Sequence, residues 1–221
     1  MREYKKIRLR KNEENINQLY KELLDKKYPF LLLKWENKKY ILTKEKSLIE
    51  IKNEKKFLEN IRKDIYYKTI IKEENKNEIG KDLNIYKTYL NKYKDKIVKK
   101  RYNHKYYFGC IAVKLKKGFI TTIRGKDNLE EYTIVEKVNH KKYRIEVSNK
   151  KASLNAPLLD YLFKNKKVKT IVHLHEFDNS LPYYDYAFPG TVKDTIRNNT
   201  TSFNIKHHGV IYLYDEKGNK L

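Results

Sequence analysis

Cysteine, proline, glycine and arginine are all scarce in this 221-residue chain, and each scarcity excludes something. One cysteine, Cys110, leaves no intramolecular disulfide to staple the fold, which makes a reducing cytoplasm the expected compartment. No apolar run approaches the roughly 20 residues that cross a bilayer as a helix, so no membrane partner is expected. The start, Met1 to Lys11, is basic without an apolar stretch, and no secretory leader is expected there. Arginine supplies only 8 of the 51 basic residues, against 43 lysines. That matters because the formal net charge of +23 suggests an anionic partner, with nucleic acid the obvious candidate. Lysine lacks the guanidinium fork that reads guanine and phosphate. Lys, Asn, Ile and Tyr, all with A/T-rich codons, make up 105 residues, so base composition accounts for much of the charge. A dedicated nucleic-acid binder is therefore the weaker expectation.

What is present suffices for a core: 39% of residues are hydrophobic and 13% aromatic. At roughly 100–200 residues per domain, the length gives one domain with an appendage, or two small ones. The scarce residues are also unevenly placed. All six His lie at or after His104, and six of the seven Gly lie at or after Gly109. Tight turns and any His-based chemistry therefore belong to the C-terminal half.

In the N-terminal half, Ile16, Leu19, Tyr20, Leu23 and Leu24 recur at helical spacing. Residues 30–35 and 39–43 flank the polar Glu36-Asn37-Lys38 and predict a hairpin. Phe57, Leu58, Ile61 and Ile65 share one side of a helix expected from Leu48 to about Ile71, followed by a charged linker over 72–78. Ile79, Leu83, Tyr86, Leu90, Tyr93 and Ile97 then form one apolar helical seam. From Tyr106 the period changes to two. Strands are expected at 106–115, 118–122, 132–138, 143–147, 168–175 and 203–214, with a helix over 156–165 and a short one after Thr191. Residues 1–75 thus read as an αββα extension and 76–221 as an α/β domain.

The chemistry concentrates in Thr170-Ile171-Val172-His173-Leu174-His175. On a strand, His173 and His175 share a face about 7 Å apart along the chain, so both imidazoles can reach one divalent ion. His207 and His208 follow 32 and 33 residues later, and the Gly after His208 favours it as the third ligand. Three His with an open fourth position is the pattern of a catalytic zinc site, although imidazoles equally suit Cu, Ni or Fe. Two His on a half-buried strand also occur as ordinary sheet residues.

The order of motifs resembles the class II aldolase/adducin family over residues 106–215. The quoted segments are Gly109-Cys110-Ile111-Ala112-Val113-Lys114, Thr121-Thr122-Ile123-Arg124-Gly125, Ala152-Ser153-Leu154-Asn155-Ala156-Pro157-Leu158, the His173/His175 strand, Tyr184 to Thr191, and His208-Gly209-Val210-Ile211. The resemblance implies an α/β fold of three α/β/α layers around a mainly antiparallel sheet. It implies a zinc ion, one per chain, on His173, His175 and His208, and a phosphate cradle of Gly109, Arg124, Gly125 and Ser153. It implies a lyase or isomerase acting on a small anionic sugar phosphate or related carbonyl compound, in a homo-oligomer. The adducin branch of the family illustrates a non-catalytic alternative.

The chain departs from the family pattern at three places. Cys110 stands where the family has Asn, and Leu154 where it has a second Ser. The family's catalytic Glu falls on Asn155, and an amide cannot act as a general base. Glu176 and Asp178 are the nearest carboxylate replacements, although strand alternation sends Glu176 away from the His pair. Tyr183 and Tyr184 are possible loop acids. Ser153 has an equally good reading as a helix N-cap, Cys110 as a small buried hydrophobe, and His104 and His140 as exposed loop residues.

Overall fold

The computed structural model describes residues 5–8, 14–25, 30–35, 37–43, 48–55, 58, 66–72, 79–97, 107–126, 128–195 and 201–221. The chain divides into two units, Met1–Asp64 and Ile65–Leu221, each with its own sheet.

The first unit holds β1 (Lys5–Arg8), α1 (Glu14–Asp25), β2 (Leu31–Trp35), β3 (Lys38–Leu42) and β4 (Leu48–Glu50), its strands in the order β1-β2-β3-β4. The expected hairpin is present: Trp35 pairs with Lys38, and Asn37 closes the two-residue loop at φ 63°. A positive φ at this position matches the right-handed strand twist, and Asn tolerates it well. Tyr20 and Leu23 of α1 bury against Leu31, Leu33 and Leu42. The helix expected from Leu48 to about Ile71 is present only inside that span, where Glu54, Lys55 and Leu58 are helical, while both ends are strands. Leu48–Glu50 pairs antiparallel with β3, and Lys68–Ile71 is a strand of the second unit. Leu48 and Ile49 fit a pleated surface as well as a helix, and the partner strand decides between them. Phe57, Ile61, Ile65 and residues 73–78 of the expected linker lie outside the described residues.

The second unit is a nine-stranded sheet in the order β11-β12-β13-β10-β6-β7-β8-β9-β5. Its strands are β5 (Lys68–Ile71), β6 (Cys110–Lys114), β7 (Phe119–Thr122), β8 (Tyr132–Asn139), β9 (Arg144–Val147), β10 (Thr170–Leu174), β11 (Tyr183–Tyr184), β12 (Phe203–Ile205) and β13 (Gly209–Tyr214). Only the outer pairs, β5 with β9 and β11 with β12, run parallel. The helices are α2 (Gly80–Ile97), α3 (Ala156–Leu162) and the single turn α4 (Val192–Thr195). The architecture is mixed α/β.

Alternation along the central strands sorts two cores. Ile111, Val113, Val172, Leu174 and Val210 pack with Tyr86, Leu90, Tyr93 and Ile97, the seam of α2. Cys110, Ala112, Ile171, Ile211 and Leu213 pack with Leu158, Leu159 and Leu162 of α3. Helices therefore cover opposite faces of one sheet. The antiparallel order also brings the start of β6, the end of β7, the end of β10 and the start of β13 to one edge. No described helix is long and apolar enough to cross a membrane.

Candidate metal centre

That edge is where the three candidate ligands meet. His173 lies in register with Cys110 on one side and Ile211 on the other, facing the α3 core. His175 follows two residues later on the same face, just past the strand. His208 arrives from a turn rather than from a strand. The single strand expected over 203–214 is broken into β12 and β13, with residues 206–208 as the turn between them. His207 holds φ 59° at that turn and is exposed, while His208 is turned inward and 4% exposed. Turn geometry, not strand alternation, separates the two histidines.

Glycine makes the approach possible. Gly209 has φ 133°, and a Cβ there would lie 2.0 Å from the Leu174 carbonyl oxygen. Gly109 has φ 92°, and its Cβ would lie 2.6 Å from the His173 carbonyl oxygen. Both are glycine because backbone from a neighbouring strand occupies the place of a side chain.

The imidazole ring centres are 4.9 Å apart for His173 and His175, 4.5 Å for His173 and His208, and 5.1 Å for His175 and His208. One nitrogen from each lies within 4.8 Å of the other two. Nε2 of His173 is 3.2 Å from Nε2 of His208. Nδ1 of His173 is 3.0 Å from the Val210 carbonyl oxygen, which can only accept, so the proton sits on Nδ1. This leaves the Nε2 lone pair facing the cluster, as a metal ligand requires. Burial, and then the neighbouring His208, hold His173 well below the usual histidine range, so the ring is neutral at pH 7. The donor set, convergent and largely buried, fits a divalent ion such as zinc. Phe108 packs on His175 with ring centres 5.4 Å apart, and Tyr186 stands edge-on to His208 at 6.2 Å. Neither was legible in the sequence, since one aromatic among many carries no signal.

The expected phosphate-binding residues border the same edge. Gly109 abuts the His173 backbone. After β7 the chain stays paired with residues 151–153: Ser153 N–H donates to the Thr122 carbonyl and Arg124 N–H to that of Lys151. Arg124 is half-buried, and Gly125 turns at φ 63° with open space beside it. Ser153 and Asn155 are buried, and both side chains reach the Cys110 thiol, which burial pushes up. Cys110 is thus the buried, unreactive thiol expected. Ser153 Oγ accepts from Asn155 N–H at 3.3 Å, so it braces the entry to α3 without being its N-cap, the place taken by Asn155. The Asn155 side-chain oxygen is buried and has no hydrogen-bond partner.

The carboxylates do not join the cluster. Glu176 pairs with Lys96 of α2, on the opposite side of the sheet, as strand alternation requires. Asp178 accepts from Ser180 and from Tyr212 Oη at 3.2 Å. Tyr183 and Tyr184 are exposed on β11. His140 is not an exposed loop residue: its ring bridges Tyr67 Oη at 2.6 Å and Asp160 at 2.7 Å. His104 lies outside the described residues. Lys126, unremarked in the sequence, is 4% exposed beside Gly109 and Cys110.

No family model matches this chain, and no curated protein matches it. Solved structures do. YgbL from Klebsiella pneumoniae, provisionally named an aldolase/epimerase/decarboxylase, is similar at 18% identity and a TM-score of 0.35, over 48% of this chain and 67% of that one. An L-fuculose 1-phosphate aldolase is similar at 15% identity and a TM-score of 0.43, over 60% of this chain and 76% of that one.

Proposed function

We propose that this chain is a metal-dependent lyase or isomerase of aldolase type, acting on a small phosphorylated sugar or related carbonyl compound. The reading rests on one observation above the others: three imidazole nitrogens lie within 4.8 Å of one another, and His173 has its second nitrogen fixed on a carbonyl. A structural role alone gives no reason to gather three His at one end of a strand. His173, His175 and His208 would hold one zinc ion. Such an ion supplies Lewis acidity, polarising a substrate carbonyl and favouring negative charge on its oxygen.

The chain's own residues supply the rest. Gly109 and Gly125 offer backbone N–H groups, Ser153 a hydroxyl and Arg124 a guanidinium fork, all suited to phosphate oxygens. Asn155 orients a substrate hydroxyl through its unpartnered oxygen but cannot take its proton. Tyr186 and Phe108 fix the ring planes of His208 and His175. By resemblance the assembly is a homo-oligomer.

The absence of a carboxylate at position 155 favours a second reading, a non-catalytic interaction protein that retains the metal. Two measurements separate the readings. Purified protein is expected to carry about one zinc per chain, lost in His173→Ala. A panel of phosphorylated ketoses, assayed for release of dihydroxyacetone phosphate, is expected to contain a substrate. A metal-free wild type contradicts the enzyme reading. Zinc with no turnover across the panel favours the interaction protein.

A further inference from the structure

Among the described residues, Lys126 is the one buried lysine, at 4% exposed. Its Nζ donates to the Gly109 carbonyl oxygen at 2.6 Å. An ammonium has three donors, and among the described residues no second acceptor and no carboxylate meets this one. Its electrical neighbours are the Cys110 thiol and the neutral His173 ring. Burial pushes the ammonium down to about 8, so most of it still carries its charge at pH 7. A buried cation without an anion is a standing cost to the fold, and positions that break such a rule are where function is expected.

A second observation lies nearby. The Asn155 side-chain oxygen is buried and unpartnered, and its side chain reaches the same Cys110 thiol that feels the Lys126 charge. The Lys126 ammonium is held on the Gly109 carbonyl with donors to spare, and Asn155 follows Ser153, whose N–H bonds the Thr122 carbonyl, so a cationic donor and an unpartnered acceptor lie at the end of the sheet that carries the three-His cluster. A ligand that satisfies both must carry an oxyanion for Lys126 and a hydroxyl hydrogen for Asn155.

We infer that Lys126 and Asn155 form a recognition site for a hydroxylated anion, with Lys126 taking the oxyanion and Asn155 the neighbouring hydroxyl. This rests on the proposed function for its setting, because the same ligand would reach the three-His cluster. It goes further in naming the residues that select the ligand. The oxyanion is a phosphate ester or a carboxylate, and both satisfy the same pair.

Calorimetric titration of the full chain with inorganic phosphate and, separately, with glycolate tests the site. The Lys126→Met variant is compared with wild type, with Lys141→Met as an exposed-lysine control. At least one probe is expected to bind wild type and the control alike, and to bind Lys126→Met at least tenfold more weakly. Phosphate dependence identifies a phosphorylated ligand and glycolate dependence a hydroxy acid. Lys126→Met is also expected to melt at or above the wild-type temperature, since it removes a buried charge. Binding of neither probe, or binding indifferent to Lys126→Met, overturns the proposal. So does a variant that melts several degrees lower, which would make Lys126 a structural residue. A cobalt titration of the same samples reads the His cluster independently: failure there with Lys126-dependent anion binding intact contradicts the metal reading alone.

Discussion

Single residues decide whether this edge of the sheet is a site. Gly209 lets the turn after β12 lie against β10, so Gly209→Ala forces a Cβ into the Leu174 carbonyl, 2.0 Å away. Moving that turn costs about 2–4 kcal/mol of stability and carries His208 away from its partners. Chemical denaturation should show the loss, and metal affinity should fall by a larger factor than in a neighbouring exposed variant. The His-Gly pair was legible in the sequence as a motif; the reason for its Gly was not, because the clashing carbonyl belongs to a strand some 35 residues distant. Lys126 shows the opposite case. It is one of 43 lysines, and nothing in its local spacing marks it as buried. Only the neighbours Gly109 and Cys110, brought in by β6, single it out.

Elements whose period is long and regular were legible; those defined by partners were not. The seam of Tyr86, Leu90, Tyr93 and Ile97 predicts α2, and the same residues are buried in it. Strands β6 to β9 follow from their period of two and their turn residues, and β10 from its β-branched run. Strand β5 was hidden because Lys68-Thr69-Ile70-Ile71 reads as readily into the preceding apolar spacing, and Ile71 is half exposed at the sheet edge. The break between β12 and β13 was hidden because Lys206-His207-His208 contains no Gly or Pro before Gly209. Within α2, the Tyr86 hydroxyl is buried without a hydrogen-bond partner. Burying an unpaired hydroxyl costs about 1–3 kcal/mol in proteins. Tyr86→Phe keeps the ring and removes the hydroxyl, so thermal melting should show equal or greater stability. A clear loss would mean that the hydroxyl has a partner in solution. In the other core, Leu159→Ala on α3 should cost about 2–5 kcal/mol by opening a cavity.

At the scale of the whole molecule, charge and acid act on stability. A net charge of +23 means that the folded chain repels itself, so raising salt from 50 to 500 mM, conditions across which screening shortens to a few Å, should raise the melting temperature. Acid acts through the His cluster. The folded state holds His173 below the ordinary histidine value of 6.5, first by burial and then through His208. Below about 6.5 the unfolded chain therefore binds a proton that the folded chain refuses. Stability of the metal-free protein is full above that pH and falls as pH drops toward the folded value, by up to about 1.4 kcal/mol per pH unit for one proton. Urea unfolding at several pH values should show this slope, and His173→Ala should flatten it.

Metal acts in the opposite sense, because a ligand for the folded state alone adds about 2.7 kcal/mol at a hundredfold excess over its Kd. For a chain of this size that corresponds to a rise of roughly 5–10 °C in melting temperature. The central claim is that His173, His175 and His208 bind one divalent ion, and a cobalt titration tests it most directly. Visible absorption of tetrahedral cobalt should saturate at one equivalent in wild type and in His207→Ala, and should be lost in His173→Ala and His208→Ala. A spectrum that never develops in wild type, or one that survives His173→Ala, contradicts the account.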